Sequence, residues 1–264
     1  MLGTGWTEAV ALVAAFVIAL VASPAGISGA VLLLPFQVSV LGTPSPAVTP
    51  TNLLYNVVAT PGAIYRFWRQ GQTGGRLTLV LISGTLPGVI AGSTIRVELL
   101  PGPRVFDVVV GAVLAPLGIW IALSRPQPAD KSGAGGHPIP AAGLVALSAM
   151  VGCVGGIYGI GGGSILAPML IGTGRRPSEV APAALASTLV TSLAGVITFT
   201  ILSIHQHAHV APSWPTGIAL GVGGLAGAYT GARIQSRLPE LLIRRLIGIL
   251  VVAIGVRYLW IGLA

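Results

Sequence analysis

Long apolar stretches dominate this sequence and constrain its fold more than any other feature. Several of them reach the length of about 18 residues or more at which an α-helix can cross the ~30 Å hydrocarbon core of a bilayer. Of the 264 residues, 53% are hydrophobic and only 8% are charged, whereas about 25% of the residues of a soluble domain are charged. The chain is therefore predicted to be an all-α integral membrane protein.

The sequence divides into eight apolar segments. Two of them, 8–41 and 139–172, are too long for one span, and each is interrupted near its middle, at 23–29 and 155–163. The interruptions are rich in glycine, and the first contains Pro24, so a helix is expected to break at each. The remaining segments are predicted to be single spans, at 46–67, 77–95, 105–123, 180–204, 214–233 and 241–263.

The two halves of the chain share a repeated pattern. At a shift of 133 residues the matched pairs are Gly26 with Gly159, Gly29 with Gly162 and Pro35 with Pro168. At a shift of 137 residues they include Gly84 with Gly221 and Arg96 with Arg233. A near-constant shift over much of the chain indicates an internal duplication. We predict a first repeat at 1–123, a linker at 124–138 and a second repeat at 139–264.

The distribution of basic residues distinguishes two topologies. If all eight segments cross the membrane, the 14 basic residues divide almost evenly between the two sides. If 8–41 and 139–172 are re-entrant hairpins, eleven of the 14 fall on one side, as the positive-inside rule predicts. Each half then has one hairpin and three transmembrane helices, and the halves are inverted repeats, a common transporter architecture. A kinked, strongly tilted helix is the alternative to each hairpin.

The interruptions are candidate anion-binding sites. A helix that restarts after a break has unpaired N–H groups at the positive end of its dipole. The spans that follow the breaks are polar, and buried polar groups in a membrane commonly mark a pathway. The alternative is that glycine and the small hydroxyl residues only pack helices together. The candidate substrate-binding residues are Gly26, Ser28, Gly29, Thr51, Asn52, Asn56, Gly161, Gly162, Gly163, Ser164, Ser187, Thr188 and Ser192.

Charged residues and histidines argue against several other functions. The net charge of +8 is spread thinly between apolar segments, so nucleic acid is not a predicted partner. The six acidic residues lie in or near segment ends, which leaves no carboxylate at mid-membrane for an ion relay. His205, His207 and His209 have no nearby carboxylate, so no metal site and no cofactor are predicted, and a proton-sensing role for His205 is the alternative. No hydrolase motif supports an enzyme.

The glycine turn and the polar helix together resemble a known family. Gly-Ile-Gly-Gly-Gly at 159–163 is followed by Pro168, and Thr-Asn-Leu at 51–53 precedes Asn56 and the Pro-Gly pair at 61–62. This combination resembles the sulfite exporter TauE/SafE family of membrane permeases, and the likeness covers nearly the whole chain. It implies transport of sulfite or a small organosulfonate across the bacterial inner membrane, mostly outward.

The resemblance also implies which residues line the anion path. These are the glycines at 161–163 and the region of Thr51 and Asn52. In the first half, residues 25–30 replace the fuller glycine run of the family, so the two half-sites are expected to differ chemically.

The prediction is an anion permease that works by alternating access, with one repeat rocking against the other. The anion is held at opposed half-helix N-termini near the midplane, and the bilayer is the only other predicted partner. A passive anion channel is one alternative, and a permease for another small anion such as a carboxylate is the other. The oligomeric state stays open, with a homodimer among the possibilities.

Overall fold

Helices make up nearly all of the part of the chain that the computed structural model describes, which is residues 4–23, 28–44, 47–100, 103–123, 140–172, 175, 177–206, 210–234 and 240–263. No strand occurs within these ranges, and the predicted all-α class is confirmed. The predicted linker at 124–138, part of the first interruption with Gly26, and the histidines His207 and His209 lie outside the described residues.

Ten helices follow one another along the described ranges. The first half contains α1 (Thr4–Ala22), α2 (Ala30–Ser39), α3 (Val48–Arg69), α4 (Gly75–Glu98) and α5 (Pro103–Leu123). The second half contains α6 (Ala141–Tyr158), α7 (Gly163–Gly172), α8 (Pro177–Gln206), α9 (Trp214–Ile234) and α10 (Glu240–Leu263). The long segment 8–41 thus holds α1 and α2, and the long segment 139–172 holds α6 and α7.

Glycine ends α6 and turns the chain back on itself. Gly159 has a φ of 82° and caps α6 in the left-handed conformation, and Gly161 continues the turn with a φ of 68°. Residues with a side chain adopt these angles only with strain. After the turn, Gly162 packs against Gly152 and Gly155, which lie earlier on α6. The interruption predicted at 155–163 is therefore a tight reversal at 159–162, directly before α7.

Within the described residues, three helices are long and apolar enough to cross a membrane by length and composition. They are Gly75–Glu98, Ala141–Tyr158 and Glu179–His205, that is α4, α6 and most of α8. Shorter apolar helical stretches lie at Trp6–Ala22, Ala30–Ser39, Asp107–Trp120 and Val251–Leu263.

Helices α4, α6 and α8 run parallel and pack together through small residues. On α4, Gly84 faces Val145 of α6, and further along Gly92 faces Cys153, so the two helices run parallel. In the same way Gly74 faces Ala183 at the start of α8, and Val89 lies by Gly195 further along. Glycine at these positions lets helix backbones approach closely, which is how membrane helices associate.

A second group of parallel helices consists of α1, α3 and α9. Gly223 of α9 faces Leu12 of α1, and Gly231 faces Leu20. Gly217 and Gly221 face Leu54 and Val58 of α3 in the same order. The remaining pair, α5 and α10, is antiparallel, since the contacts of α5 with α10 run in opposite order along the two helices: Gly111 with Leu259, and Gly118 with Val252.

Helices α3 and α8 cross where the two groups meet. Leu53 of α3 packs against Gly195 of α8, and Ala63 of α3 lies with Leu185 of α8 around a shared cavity. The contacts run in opposite order along the two helices, so α3 and α8 are antiparallel. Residues 56–60 of α3 therefore lie at the same level as residues 188–192 of α8. Both stretches carry buried polar side chains, which are Asn56 and Thr60 on α3 and Thr188, Thr191 and Ser192 on α8.

Candidate functional site

The first break faces a buried amide on α3. Ser28 Oγ donates a hydrogen bond of 2.7 Å to Asn56 Oδ1 and accepts one of 3.2 Å from the backbone N–H of Ala30, at the start of α2. Asn56 is fully buried, and its Nδ2 has no hydrogen-bond partner among the described residues. A buried N–H without a partner is costly. Asn56 Nδ2 is thus a donor without an acceptor, next to the N-terminus of a helix.

A cavity of about 430 Å³, including the space at its mouth, is lined by Ser28, the hydrogen-bond partner of this amide. It extends along α3 from Tyr55 towards Phe67, near the C-terminal end of the helix. Thr60, on the cavity wall, donates its hydroxyl to the backbone carbonyl of Asn56. Most of the wall is apolar, and the polar groups gather at the end near the break. The lining residues are Ser23, Ser28, Gly29, Tyr55, Ala59, Thr60, Ala63, Phe67, Leu185 and Ala228.

Asn52 and Thr51 join helices in this structure. Asn52 Nδ2 donates to the carbonyl of Ala30 at 2.9 Å, and Asn52 Oδ1 accepts from Gln37 Nε2 at 3.0 Å. Thr51 Oγ1 donates to the carbonyl of Ala47 at 2.7 Å and accepts from the backbone N–H of Ser213 at 2.9 Å. Both side chains are fully buried. Their polar atoms are already paired, which distinguishes them from Asn56.

The second break faces two buried hydroxyl groups on α8. Thr188 and Ser192 are 1% and 0% exposed, and neither hydroxyl has a hydrogen-bond partner within the described ranges. A Cβ placed on Gly161 would lie 2.8 Å from Thr188 Cγ2 and 3.0 Å from Ser192 Oγ. Gly163, the first residue of α7, packs against the Thr188 hydroxyl and the backbone of Ala184. Two unpaired hydroxyl groups therefore lie against the glycine turn that starts α7.

The other two candidate hydroxyl groups of the second half are paired. Ser164 Oγ donates to the carbonyl of Ile160 at 3.2 Å, across the turn. Ser187 Oγ and Thr85 Oγ1 lie 2.8 Å apart and share a hydrogen bond between α8 and α4. Gly162 fits between Thr85 and Gly152. These residues hold the glycine turn in place against α4 and α8.

Charged side chains are absent from both half-sites in the described part of the chain. The acidic side chains seen there lie near helix ends: Glu98 ends α4, Glu179 lies in the first turn of α8, and Glu8 and Asp107 are the fifth residues of α1 and α5. Arg96, near the end of α4, is fully buried, donates to the carbonyl of Leu100 and interacts with the charge of Asp107. His205 is exposed at the end of α8. The half-sites consist of uncharged donors.

Sequence reasoning missed several residues around these half-sites. Gln37 is the one amide in the apolar α2, a signal that could have predicted its pairing with Asn52. Tyr55 lies between the two candidate asparagines and lines the cavity, so its position was a usable signal. Leu185 and Phe67 carry no such signal, since an apolar residue in a membrane helix is as common in a cavity wall as on a lipid-facing surface.

Comparison with known proteins finds relatives that are named as probable membrane transporters. The chain is 26% identical over 243 residues to a protein of Xylella fastidiosa (strain Temecula1 / ATCC 700964) named "Probable membrane transporter protein", covering 89% of this chain and 88% of that protein. It is 27% identical over 259 residues to "Probable membrane transporter protein y4hK" of Sinorhizobium fredii (strain NBRC 101917 / NGR234), covering 96% of this chain and 99% of that protein. No solved structure matches the chain significantly.

The family assignment rests on nearly the full length of the chain. Residues 11–258 match the family described as "Sulfite exporter TauE/SafE". This range includes both breaks, the polar parts of α3 and α8, and the cavity. The resemblance predicted from the glycine turn and the polar helix is confirmed, and the chain belongs to the sulfite exporter TauE/SafE family of membrane transporters.

Proposed function

We propose that this protein is a secondary transporter that moves sulfite or a small organosulfonate outward across the bacterial inner membrane. The observation that carries the proposal is the pair of buried, unpaired hydroxyl groups of Thr188 and Ser192 against the glycine turn that starts α7. Unpaired donors beside a helix N-terminus form a site for an anion, because hydroxyl groups, backbone N–H groups and the helix dipole all favour negative charge there.

The chemistry of the half-sites supports a sulfur oxyanion. Sulfite and sulfonate groups present three oxygen acceptors in a compact pyramid, and each oxygen can accept more than one hydrogen bond. The second half-site offers hydroxyl and backbone donors, and the first offers Asn56 Nδ2. Because no cationic side chain lies in either half-site within the described ranges, the anion is held by dipoles alone. Such binding is weak enough for release, as a transport cycle requires.

The helix packing supports the proposal that the two halves are inverted repeats. Helix α1 packs against α9, as α6 packs against α4, and the pairs α3 with α9 and α8 with α4 correspond in the same way. Equivalent helices run in opposite directions at their contacts, as described above for α3 and α8. In inverted-repeat transporters the substrate binds near the midplane between the repeats, at broken helices. The level of α3 and α8 shared by Asn56 and Ser192 fits that position.

The positions of the basic residues support a multi-pass arrangement in the inner membrane. In this orientation the open end of the cavity faces the cytoplasm. Arg66 and Arg69 lie in the last turn of α3, on either side of Phe67 in the sequence, and Phe67 lines this end of the cavity. Under the positive-inside rule this end of α3 is cytoplasmic. An anion from the cytoplasm would enter the cavity past Phe67 and reach the Ser28–Asn56 pair, which is the direction that an exporter needs.

Flux measured in proteoliposomes tests this function. The purified protein is reconstituted, and uptake of sulfite, sulfoacetate, sulfate and lactate is followed with and without a pH gradient. The proposal predicts saturable transport of sulfite or sulfoacetate, with counterflow when the same anion is present inside. A linear dependence on concentration without counterflow would instead indicate a passive channel. Transport of lactate alone would assign the protein to carboxylates, and absence of flux for both sulfur anions would remove the proposed substrate.

A further inference from the structure

A proline in α2 creates an acceptor that the second half of the chain uses. Pro35 has no N–H, so the carbonyl of Val31, four residues earlier, has no partner within α2. The hydroxyl of Tyr158, the last residue of α6, donates a hydrogen bond of 2.9 Å to this carbonyl. Both residues are 2% exposed. The bond therefore links the end of α6 in one half to the short helix α2 of the other half.

Two further contacts close the same region. Thr49 Oγ1, at the start of α3, donates to the carbonyl of Ile157 at 3.3 Å. Gly159, in the left-handed conformation, packs directly against the backbone of Thr49. The end of α6 thus seals the N-terminal end of α3, and the cavity lies towards the other end. Thr49 and Phe67 are 18 residues apart, or about 27 Å along a helix.

The two repeats differ at the position of Tyr158, because only one of them has a hydroxyl group there. At the shift of 133 residues that relates the two breaks, Pro35 corresponds to Pro168 and Val31 to Ser164, so each half has a proline that frees the equivalent carbonyl. Tyr158, however, corresponds to Ala25, which has no hydroxyl. A hydrogen bond from this position is therefore available at one of the two equivalent places only.

We propose that Tyr158 is a gating residue, whose hydrogen bond to Val31 keeps the Thr49 end of the protein closed while the cavity is open at the Phe67 end. The inference rests on the transport function proposed above. The contact of Tyr158 with Val31, together with that of Thr49 with Ile157, must separate before the site is exposed on the opposite side. Because the other repeat has Ala25 at this position, the state closed at the Thr49 end is favoured at rest.

Cysteine labelling tests the gate without reference to any substrate. In a Cys153→Ala background, Val48→Cys reports on the closed end and Ala63→Cys on the cavity; both native side chains are almost fully buried. A membrane-impermeant maleimide is added to one side of sealed vesicles at a time. Tyr158→Phe, which removes only the hydroxyl, is expected to speed labelling of Val48→Cys about 2- to 10-fold, the effect of losing one hydrogen bond from one state.

The same variant is expected to slow labelling of Ala63→Cys from the Arg66 and Arg69 side. The matched control is Tyr258→Phe, because the Tyr258 hydroxyl is also buried but has no hydrogen-bond partner within the described residues. Its labelling rates should equal those of the background.

A second variant breaks the contact from the other partner. Pro35→Ala gives α2 an N–H that competes for the carbonyl of Val31, so it should change both labelling rates in the same direction as Tyr158→Phe. Unchanged rates in either variant when it is inserted in the membrane, or an equal change in Tyr258→Phe, would overturn the gate. Since labelling needs no anion, a failure of the substrate assignment would leave this result unaffected.

Discussion

Ser28 Oγ donates its hydrogen to Asn56 Oδ1 at 2.7 Å, and this bond fixes the orientation of the Asn56 amide. The carbonyl oxygen of the amide is occupied, so its nitrogen is the group left without a partner among the residues that the structure describes. If Asn56 binds the transported anion, it does so through this nitrogen.

The first prediction concerns the charge at Asn56. Asn56→Asp has nearly the same shape but replaces the N–H donors by an anionic oxygen, which repels an anion and is itself costly to bury. We expect at least a 10-fold loss of kcat/KM for sulfite or sulfoacetate. Asn56→Ser, which keeps a donor, should retain more activity than Asn56→Asp. Equal activity of the two variants, at equal amounts of inserted protein, would show that this donor does not contact the anion.

The second prediction separates two effects at Gly161, which are the strain of its left-handed backbone and the loss of the space that it leaves beside Thr188. Gly161→Ala forces a side chain into the left-handed region and against Thr188, so it should both destabilise the protein and abolish transport. Gly42 has a similar φ of 64°, but a Cβ there meets no atom of the described residues within 4 Å. Gly42→Ala should therefore cost a similar backbone strain, about 1–2 kcal/mol, without loss of transport. Thermal unfolding in detergent and flux are measured on both variants.

Loss of transport in Gly42→Ala to the extent seen in Gly161→Ala would contradict this reasoning. It would mean that strain anywhere in the protein, and not the space beside Thr188, controls activity.

The third prediction is that Asn52 stabilises the fold through Gln37. Asn52→Ala would remove the partner of both Gln37 Nε2 and the Ala30 carbonyl, leaving buried polar groups unpaired, at a cost of about 1–3 kcal/mol. The double variant with Gln37→Leu should be less destabilised than the sum of the two single variants, because the two residues share a bond. Additive losses in a thermal or denaturant unfolding series would show that the two amides are not coupled.

Much of the fold could be predicted because its determinants are local in the sequence. Helix length, apolar composition and the glycines at 159–163 act within a few residues, so the all-α class and the broken helices followed from them directly. Helix bounds differ from the predicted segments by no more than four residues at any end.

The pairing of the polar side chains could not be predicted in the same way. Asn52 and Asn56 share a face of α3, yet the amide of Asn52 is fully paired and the nitrogen of Asn56 is not. The difference comes from Gln37 and Ser28, which lie on other segments. Likewise Thr191 and Thr188 lie one turn apart on α8, and only Thr191 donates back to its own helix, at 2.7 Å to Ser187. Such differences depend on which segments pack together.

The most direct test of the central claim compares these hydroxyl groups in a flux assay. Thr188→Val combined with Ser192→Ala removes both unpaired hydroxyls with little change of shape, whereas Thr191→Val removes a hydroxyl that is already bonded within α8. We predict a loss of kcat/KM for sulfite or sulfoacetate of at least about 10-fold in the first variant, since each lost hydrogen bond to a charged group is worth about 1.5–3 kcal/mol. Thr191→Val should remain near the wild type. Equal transport by the two variants, both inserted in proteoliposomes at the same level, would contradict the proposal that the anion binds at the glycine turn before α7.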